Sequence, residues 1–563
     1  MNAQISLSIE KPVLNEEVIL TFDATKGNRE LADYEGNIYA HTGILTNQST
    51  HGGDWKHVVA GWEENRPELK LKKVGDSIYE LRFKIAELYG IPVTGGNVVA
   101  LTYVFRSEDG RKIGRAKGGG DIYHYFKKPN FKEIPKAKEF SKTPEPEWAK
   151  YASVYEVNIR QYTKEGTFKA FAEHLPRLRD MGVDILWIMP IQPIGKVKRK
   201  GTLGSYYSIQ DYKGINPEFG TLKDFIKLVN QCHGMGFKVI LDWVANHSAW
   251  DNVWMETNPE WYVRNEKGEV LAPYDWTDVA DLNFDQHHLR VAMKDAMLFW
   301  IKDIGLDGFR CDVAGEVPLD FWEDVREELN EIKPVWMLAE NADQLYLMNK
   351  AFNSNYGWPF HHLMNEMAKG HRNPNEIFGY IQNVESNYPK GAYPINFTTN
   401  HDENSWQGTV FERLGKSHKV FAALTFVMPG IPLIYSGQEA GLNKRLEFFE
   451  KDEIDWTDES LMPFYKQLNQ LKANNPALWN GFAGGDLKQI GVNGSDAVVA
   501  FSREKDGNQV IFMANFSNNP HKVTFRFTNN LGSQSEYFSG KTHKLIDENI
   551  MSFEPWEFRV FVN

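Results

Sequence analysis

From Ser153 onward the sequence repeats one unit: a short apolar run, an amphipathic stretch, a turn often carrying glycine, then the next apolar run. The run VYEVNI at 154–159 is followed by helical spacing over 168–181 and by a second apolar run at 183–189. Further apolar runs lie at 238–244, 306–313, 335–339, 395–398 and 431–435, with a less distinct one within 352–360. Helical patterns at 222–233, 288–304, 321–332 and 418–427 separate most of them. Strand–helix alternation of this kind implies a parallel sheet, and eight such units imply a closed (β/α)8 barrel, here spanning 151–480.

The ends of the chain have a different rhythm. Residues 1–130 read as short alternating strands, clearest at 18–22, 79–83 and 98–105, with turn signals at Gly95-Gly96 and Asp109-Gly110. This pattern predicts an N-terminal β-sandwich. A charged, proline-bearing stretch at 131–150 reads as a linker lying against the barrel. Residues 481–563 return to short strands (497–501, 510–515, 523–527, 558–562) and predict a C-terminal β-sandwich. At 563 residues the chain exceeds what one hydrophobic core serves, which agrees with several domains.

A net charge of −12, from 63 basic and 75 acidic residues, argues against nucleic acid or an anionic membrane surface as the main partner. No apolar run has the length of a membrane span, and residues 1–10 show no basic-then-apolar signal-peptide pattern. The two cysteines, Cys232 and Cys311, fall in a predicted helix and strand, which excludes a disulfide framework or a cysteine-based zinc cluster. Oligomeric state is left open. Aromatic residues make up 13%, including 17 Trp and 23 Tyr. Large cores account for that; sugar stacking is the sharper alternative.

In a parallel barrel the active site lies at the C-terminal ends of the strands. Four predicted strands end in charged or polar residues: VILDWVANH (239–247), GFRCDVA (308–314), MLAEN (337–341) and FTTNHDEN (397–404). The strand period of two places Arg310 and Asp312 on one face, opposite Phe309, Cys311 and Val313. One such strand is equally well a structural ion pair. Four strands converging with Asp312, Glu340, Asp402 and two histidines are a site. Convergent carboxyls without a metal cluster suit acetal cleavage, which needs one protonated acid for the leaving oxygen and one ionised carboxylate at carbon. Arg310 is expected to keep Asp312 ionised, and the apolar run before Glu340 to keep that residue protonated.

These four segments resemble, in order, the four signature regions of the α-amylase superfamily, glycoside hydrolase family 13, with the likeness extending over 153–479. The resemblance implies Asp312 as nucleophile, Glu340 as general acid/base and Asp402 as stabiliser of an oxocarbenium-like transition state. It implies that Arg310 orients Asp312, that His247 and His401 bond the sugar at the cleaved position, and that Asp242 is a structural partner. Within GSYYSIQDY (204–212), Tyr207 matches the aromatic that stacks under the reacting sugar; Tyr206 is the weaker match, and Asp211 bonds either the loop or the ligand. NPEFGT (216–221), DLN (281–283) and GQEAG (437–441) are read as structural.

The chain also departs from the family. The excursion after the third strand, 248–284, is short where many α-amylases hold calcium. Asn246 matches a calcium ligand of many relatives, yet Gly315-Glu316 replaces the Lys-His that often supplies a calcium-bound carbonyl. The resemblance therefore admits a structural calcium and requires no cofactor for chemistry. In the N-terminal domain, which resembles those of neopullulanase-like and starch-utilisation amylases, Trp55 and Trp62 are either a sugar platform or buried sandwich tryptophans. The resemblance implies a retaining hydrolase of α-1,4-glucans such as starch, maltodextrin or pullulan, with a periplasmic or extracellular location. A glucanotransferase, an α-glucosidase for short or α-1,6-linked sugars, and a non-catalytic glucan-binding protein are the alternatives. The three intact carboxylates speak against the last.

Overall fold

The computed structural model describes residues 4–46, 49, 51–62, 64–91, 98–127, 135–265, 267–528 and 530–563, and it divides into two compact units, 1–135 and 136–563.

The first unit is a β-sandwich. One sheet runs Ile5–Leu7, Glu17–Asp23, Ile78–Lys84, Lys72–Gly75; the other pairs Ile38–Thr46 with Val98–Ser107, which also pairs with Ile113–Gly114 and Ile122–Tyr125. Along Glu17–Asp23, Val18, Leu20 and Phe22 are buried while Ile19 and Thr21 are half-buried, the period-two signature of a strand with one face on a core. Phe22 stacks on Phe105 of the opposite sheet at 3.9 Å between ring centroids. Trp55 and Trp62 both pack on His41, and the Arg106 guanidinium lies over Trp62; both rings are half-buried. The expected turn at Asp109-Gly110 is present, with Gly110 at φ 68°; Gly95-Gly96 lies outside the described residues.

In the second unit eight parallel strands close a barrel: β1 (Val154–Val157), β2 (Ile185–Ile188), β3 (Lys238–Val244), β4 (Gly308–Asp312), β5 (Trp336–Ala339), β6 (Ser354–Tyr356), β7 (Tyr393–Phe397) and β8 (Ile431–Tyr435). β8 pairs with β1 to complete the ring. Alternate residues such as Val154, Ile185, Trp187, Ile240 and Leu433 fill the interior, while Tyr155, Val157, Leu186 and Phe309 face the surrounding helices. The weak sixth apolar run holds only a three-residue strand, because a helix starts two residues later at Trp358.

The helix expected over 168–181 is two helices, Phe168–Ala172 and Leu175–Asp180. Pro176 sits in the first turn of the second, where its missing N–H costs nothing, whereas a continuous helix would need that donor. The helix Leu222–Gly234 starts on a capping box: Thr221 Oγ1 accepts from the Asp224 N–H, and the Asp224 carboxylate accepts from the Thr221 N–H.

Residues from 136 to 150 run along the barrel. Arg326 Nη2 donates to the Pro144 carbonyl at 2.8 Å, and Ser141 Oγ donates to the Met348 carbonyl at 2.7 Å. The C-terminal β-domain carries a six-stranded antiparallel sheet and a two-stranded one. Val499 and Phe501 of Val498–Lys505 pack on the barrel's helical layer, and Val498 and Ala500 on the domain's own core. Arg503 ties the two together with donations to the carbonyls of Val427 and Met428.

Candidate active site

Sheet period directs Arg310 and Asp312 into the barrel mouth while Phe309 and Cys311 pack outward. A Cβ on Gly308, which opens β4, would lie 1.8 Å from the Trp336 carbonyl oxygen, so β4 reaches β5 only with glycine there. Arg310 is fully buried. Its Nη1 lies 2.8 Å from Asp242 Oδ1 and 3.0 Å from Asp312 Oδ1, and its Nη2 lies 2.8 Å from Glu340 Oε1. One guanidinium thus faces carboxylates from the ends of β3, β4 and β5, which a desolvated acid cluster requires.

Val313, directly after Asp312, adopts φ 43°, ψ 43°. A β-branched residue in the left-handed region carries strain of about 1–3 kcal/mol, of the kind concentrated at functional sites. The turn aims the Val313 N–H at Glu340 Oε2, 2.9 Å away.

Asp312 and Glu340 meet the two terminal nitrogens of the same Arg310 guanidinium, at 3.0 and 2.8 Å. Burial and the adjacent Glu340 charge push Asp312 well above the usual carboxylate range. For Glu340, burial acts upward but is outweighed by Arg310 and the Val313 N–H, so its pKa is lowered. This reverses the sequence expectation. Arg310 contacts both carboxyls, and Glu340 alone receives the backbone donor.

His247, buried at the end of β3, is pushed down to about 4 by desolvation and is neutral at physiological pH, its Nε2 3.9 Å from Asp312 Oδ2. His401 is the opposite case. Its Nδ1 meets Glu156 Oε1 at 2.5 Å, and its Nε2 lies 2.8 Å from the Tyr207 hydroxyl and 3.3 Å from Asp402 Oδ2. The Tyr207 hydroxyl in turn donates to Asp242 Oδ2 at 3.0 Å, and Trp187 Nε1 donates to the same oxygen at 3.1 Å. Asp242 is the buried hub that the sequence reading named as a structural partner.

Tyr207, His247, Asp312, Glu340, His401 and Asp402 line one open cavity of about 590 Å³, with Arg310 beneath them. Tyr206 is buried under the Arg160 guanidinium, 4.2 Å from its ring, and does not line the cavity. Asp211 accepts from the Lys213 N–H at 3.0 Å, the loop-bonding alternative. Gln438 and Glu439 of GQEAG bond Thr398 and Arg177, in keeping with a structural role.

Sequence reasoning missed several residues. Lys200, Trp276, Trp406, Phe448 and Phe449 also line the cavity, from loops after β2, β3, β7 and β8. Lys200 Nζ pairs with Asp278 at 3.0 Å, and Thr202 and Leu203 bond Glu450 and the Phe449 carbonyl, tying three loops around the mouth. The adjacent aromatics Phe448-Phe449 were a readable signal. So was Glu156, the lone charge in VYEVNI.

Asn246 turns its amide nitrogen to His247 Nδ1 at 3.3 Å. Among the described residues no group of three or more His, Cys, Asp or Glu side chains is placed to hold a metal ion. No chemical step below is routed through a metal. No helix among the described residues is long and apolar enough to cross a membrane.

Comparison with known proteins agrees with this geometry. The family model "Alpha amylase, catalytic domain" matches residues 125–267 and 250–512. The chain is 28% identical over 398 residues to Alpha-amylase MalA of Haloarcula japonica, covering 67% of this chain and 57% of that protein. It is also 28% identical over 400 residues to the cyclomaltodextrin glucanotransferase of Geobacillus stearothermophilus, covering 62% and 54%. The chain thus spans little more than half the length of these two relatives. Among solved structures, the noncanonic maltogenic alpha-amylase AmyB of Thermotoga neapolitana superposes with a TM-score of 0.68 at 28% identity, over 74% of this chain and 99% of that one. A barrel with its carboxylates gathered at the C-terminal mouth, matched over well over half its length by the family model, places this chain in the alpha-amylase family.

Proposed function

We propose that the protein is a retaining hydrolase of α-1,4-linked glucans. The observation that carries this reading is that Asp312 and Glu340 converge on the two terminal nitrogens of one guanidinium, Arg310, at 3.0 and 2.8 Å. Inverting enzymes hold their carboxyls about 6.5–9.5 Å apart to admit a water, whereas retaining enzymes keep them closer so that one attacks carbon directly. For the reaction Asp312 is ionised beside Arg310 and Glu340 carries the proton for the glycosidic oxygen.

The steps follow from that. Asp312 attacks the anomeric carbon as Glu340 protonates the leaving oxygen, giving a glycosyl ester on Asp312. Glu340, now ionised, takes a proton from water, whose oxygen displaces Asp312 and restores the α-configuration. Asp402 stabilises the positive charge that develops on the sugar ring, Tyr207 stacks on its apolar face, and neutral His247 and charged His401 hold its hydroxyls. Trp276, Trp406, Phe448 and Phe449 give neighbouring sugars stacking surface around the mouth. A glucanotransferase differs only in the second acceptor, and a relative of that name is among those matched.

A product time course on maltoheptaose and pullulan tests the reading, with anomeric configuration followed by NMR and Asp312→Asn as control. α-Anomeric products that vanish in the variant are expected; β-anomeric products, or no cleavage of either glucan, would overturn it. A fall in reducing ends per cleavage on adding acceptor sugar would identify transfer.

A further inference from the structure

Glu156 has no part in the chemistry described above, yet it is a fully buried charged group beside the site. It lies on β1, its side chain fully buried, and Ser436 fastens its backbone: the Ser436 N–H donates to the Glu156 carbonyl at 3.1 Å and the Ser436 hydroxyl donates to the same oxygen. Its Oε1 meets His401 Nδ1 at 2.5 Å, and its Oε2 has no hydrogen-bond partner among the described residues. The carboxylate is therefore balanced through the imidazole.

The hydrogen-bond partners bear on the state of the ring. Nδ1 faces a carboxylate oxygen, which accepts. Nε2 faces Asp402 Oδ2, also an acceptor, and the Tyr207 hydroxyl, whose own proton is committed to Asp242 Oδ2. With Glu156 ionised, both ring nitrogens meet acceptors and both carry protons; burial raises the Glu156 carboxyl's pKa while His401 lowers it. A neutral imidazole would set one lone pair against another in a desolvated site.

We propose that Glu156 is a positioning residue that holds His401 as an imidazolium, so that its Nε2–H is presented to Asp402 and to the hydroxyls of the sugar being cleaved. This rests on the hydrolase reading above. Other groups around the ring do not replace Glu156: Arg310 opposes the charge, Asp402 faces only Nε2, and Asp242 is already engaged by Arg310, Tyr207 and Trp187. Glu340 adds negative charge across the cavity. Burial acts against the charged ring, but Asp402 and Glu156 outweigh it and raise His401 to about 9. The histidine stays charged where an ordinary one, near 6.5, would be neutral.

Glu156→Gln removes the charge and keeps the shape and an acceptor for Nδ1; Glu156→Asp keeps the charge and shortens the reach. The probes are the imidazole 15N shifts of His401, assigned by difference with His401→Asn, and the pH dependence of kcat/KM on maltoheptaose for the full chain. In the wild type His401 is expected to be doubly protonated at pH 8. In Glu156→Gln its titration, and with it the alkaline limb of kcat/KM, should move down by about one pH unit or more. In Glu156→Asp the limb should stay while kcat falls. A neutral His401 at pH 8 in the wild type overturns the proposal without any variant. So does a Glu156→Gln titration that superimposes on the wild type, or a Glu156→Asp limb displaced as far as that of Glu156→Gln. If the wild type cleaves no glucan, the hydrolase reading fails, while the ring titration still decides the role of Glu156.

Discussion

Arg310→Met would test whether one guanidinium holds the site together. The side chain is wholly buried and makes ion contacts of 2.8, 3.0 and 2.8 Å with Asp242, Asp312 and Glu340. Removing one partner of a buried ion pair costs about 3–5 kcal/mol, because the remaining charge is left uncompensated. The entropy of unfolding a unit of roughly 430 residues is about 0.9 kcal/mol/K, so the loss corresponds to a fall in Tm of about 3–6 °C. The deficit should also depend on pH. Without the guanidinium the carboxyls' folded pKa values rise. A carboxyl whose folded pKa lies above its unfolded one costs stability only above the unfolded value, about 4, and the cost grows until pH passes the folded pKa. The variant should therefore lose most against wild type near pH 8 and regain much of the difference near pH 5. Differential scanning calorimetry of both proteins at the two pH values reads this directly. A Tm change under about 1 °C, or a deficit equal at both values, would refute the claim that Arg310 neutralises the cluster.

Asp312→Asn should lower turnover of maltoheptaose by about 10⁴-fold or more while maltooligosaccharide still raises its Tm; near-normal turnover would remove the nucleophile. Glu340→Gln should lose about 10²–10⁴-fold on maltoheptaose but far less on an aryl α-glycoside whose leaving group needs no proton. Equal loss on both would take Glu340 out of the acid role. Chelator treatment is expected to leave activity and Tm unchanged, since among the described residues no group of three or more His, Cys, Asp or Glu side chains is placed to hold a metal ion; a fall in either would establish a metal. Lys472, fully buried, donates to the carbonyls of Gly430 and Leu478, and burial, with Arg503 nearby, depresses its pKa well below the usual value. Folding therefore sheds a proton and the penalty grows as pH falls below about 10.4, so Lys472→Met should compare better with wild type at pH 6 than at pH 9 in thermal melts. The reverse order would refute that sign.

Periodicity in the sequence was enough for the barrel, because burial of alternate strand residues and of one helix face leaves a repeating apolar pattern wherever the unit recurs. The same period put Arg310 and Asp312 on one face, and the strand-end positions of Glu340, His247 and Asp402 implied a shared rim. What the sequence could not carry were relations between residues far apart in the chain. Arg310 reads as a neighbour of Asp312, yet it also contacts Glu340 and Asp242 on adjacent strands. That sharing, with the Val313 N–H on Glu340 alone, lowers the Glu340 pKa that local apolar context was expected to raise. Glu156 and His401 stand 245 positions apart and become partners only when β8 closes the ring onto β1. The aromatic mouth is likewise assembled from loops after different strands. Local pattern determines which elements form and which way their side chains point; charge state and cavity shape depend on distances that exist only once the barrel has closed.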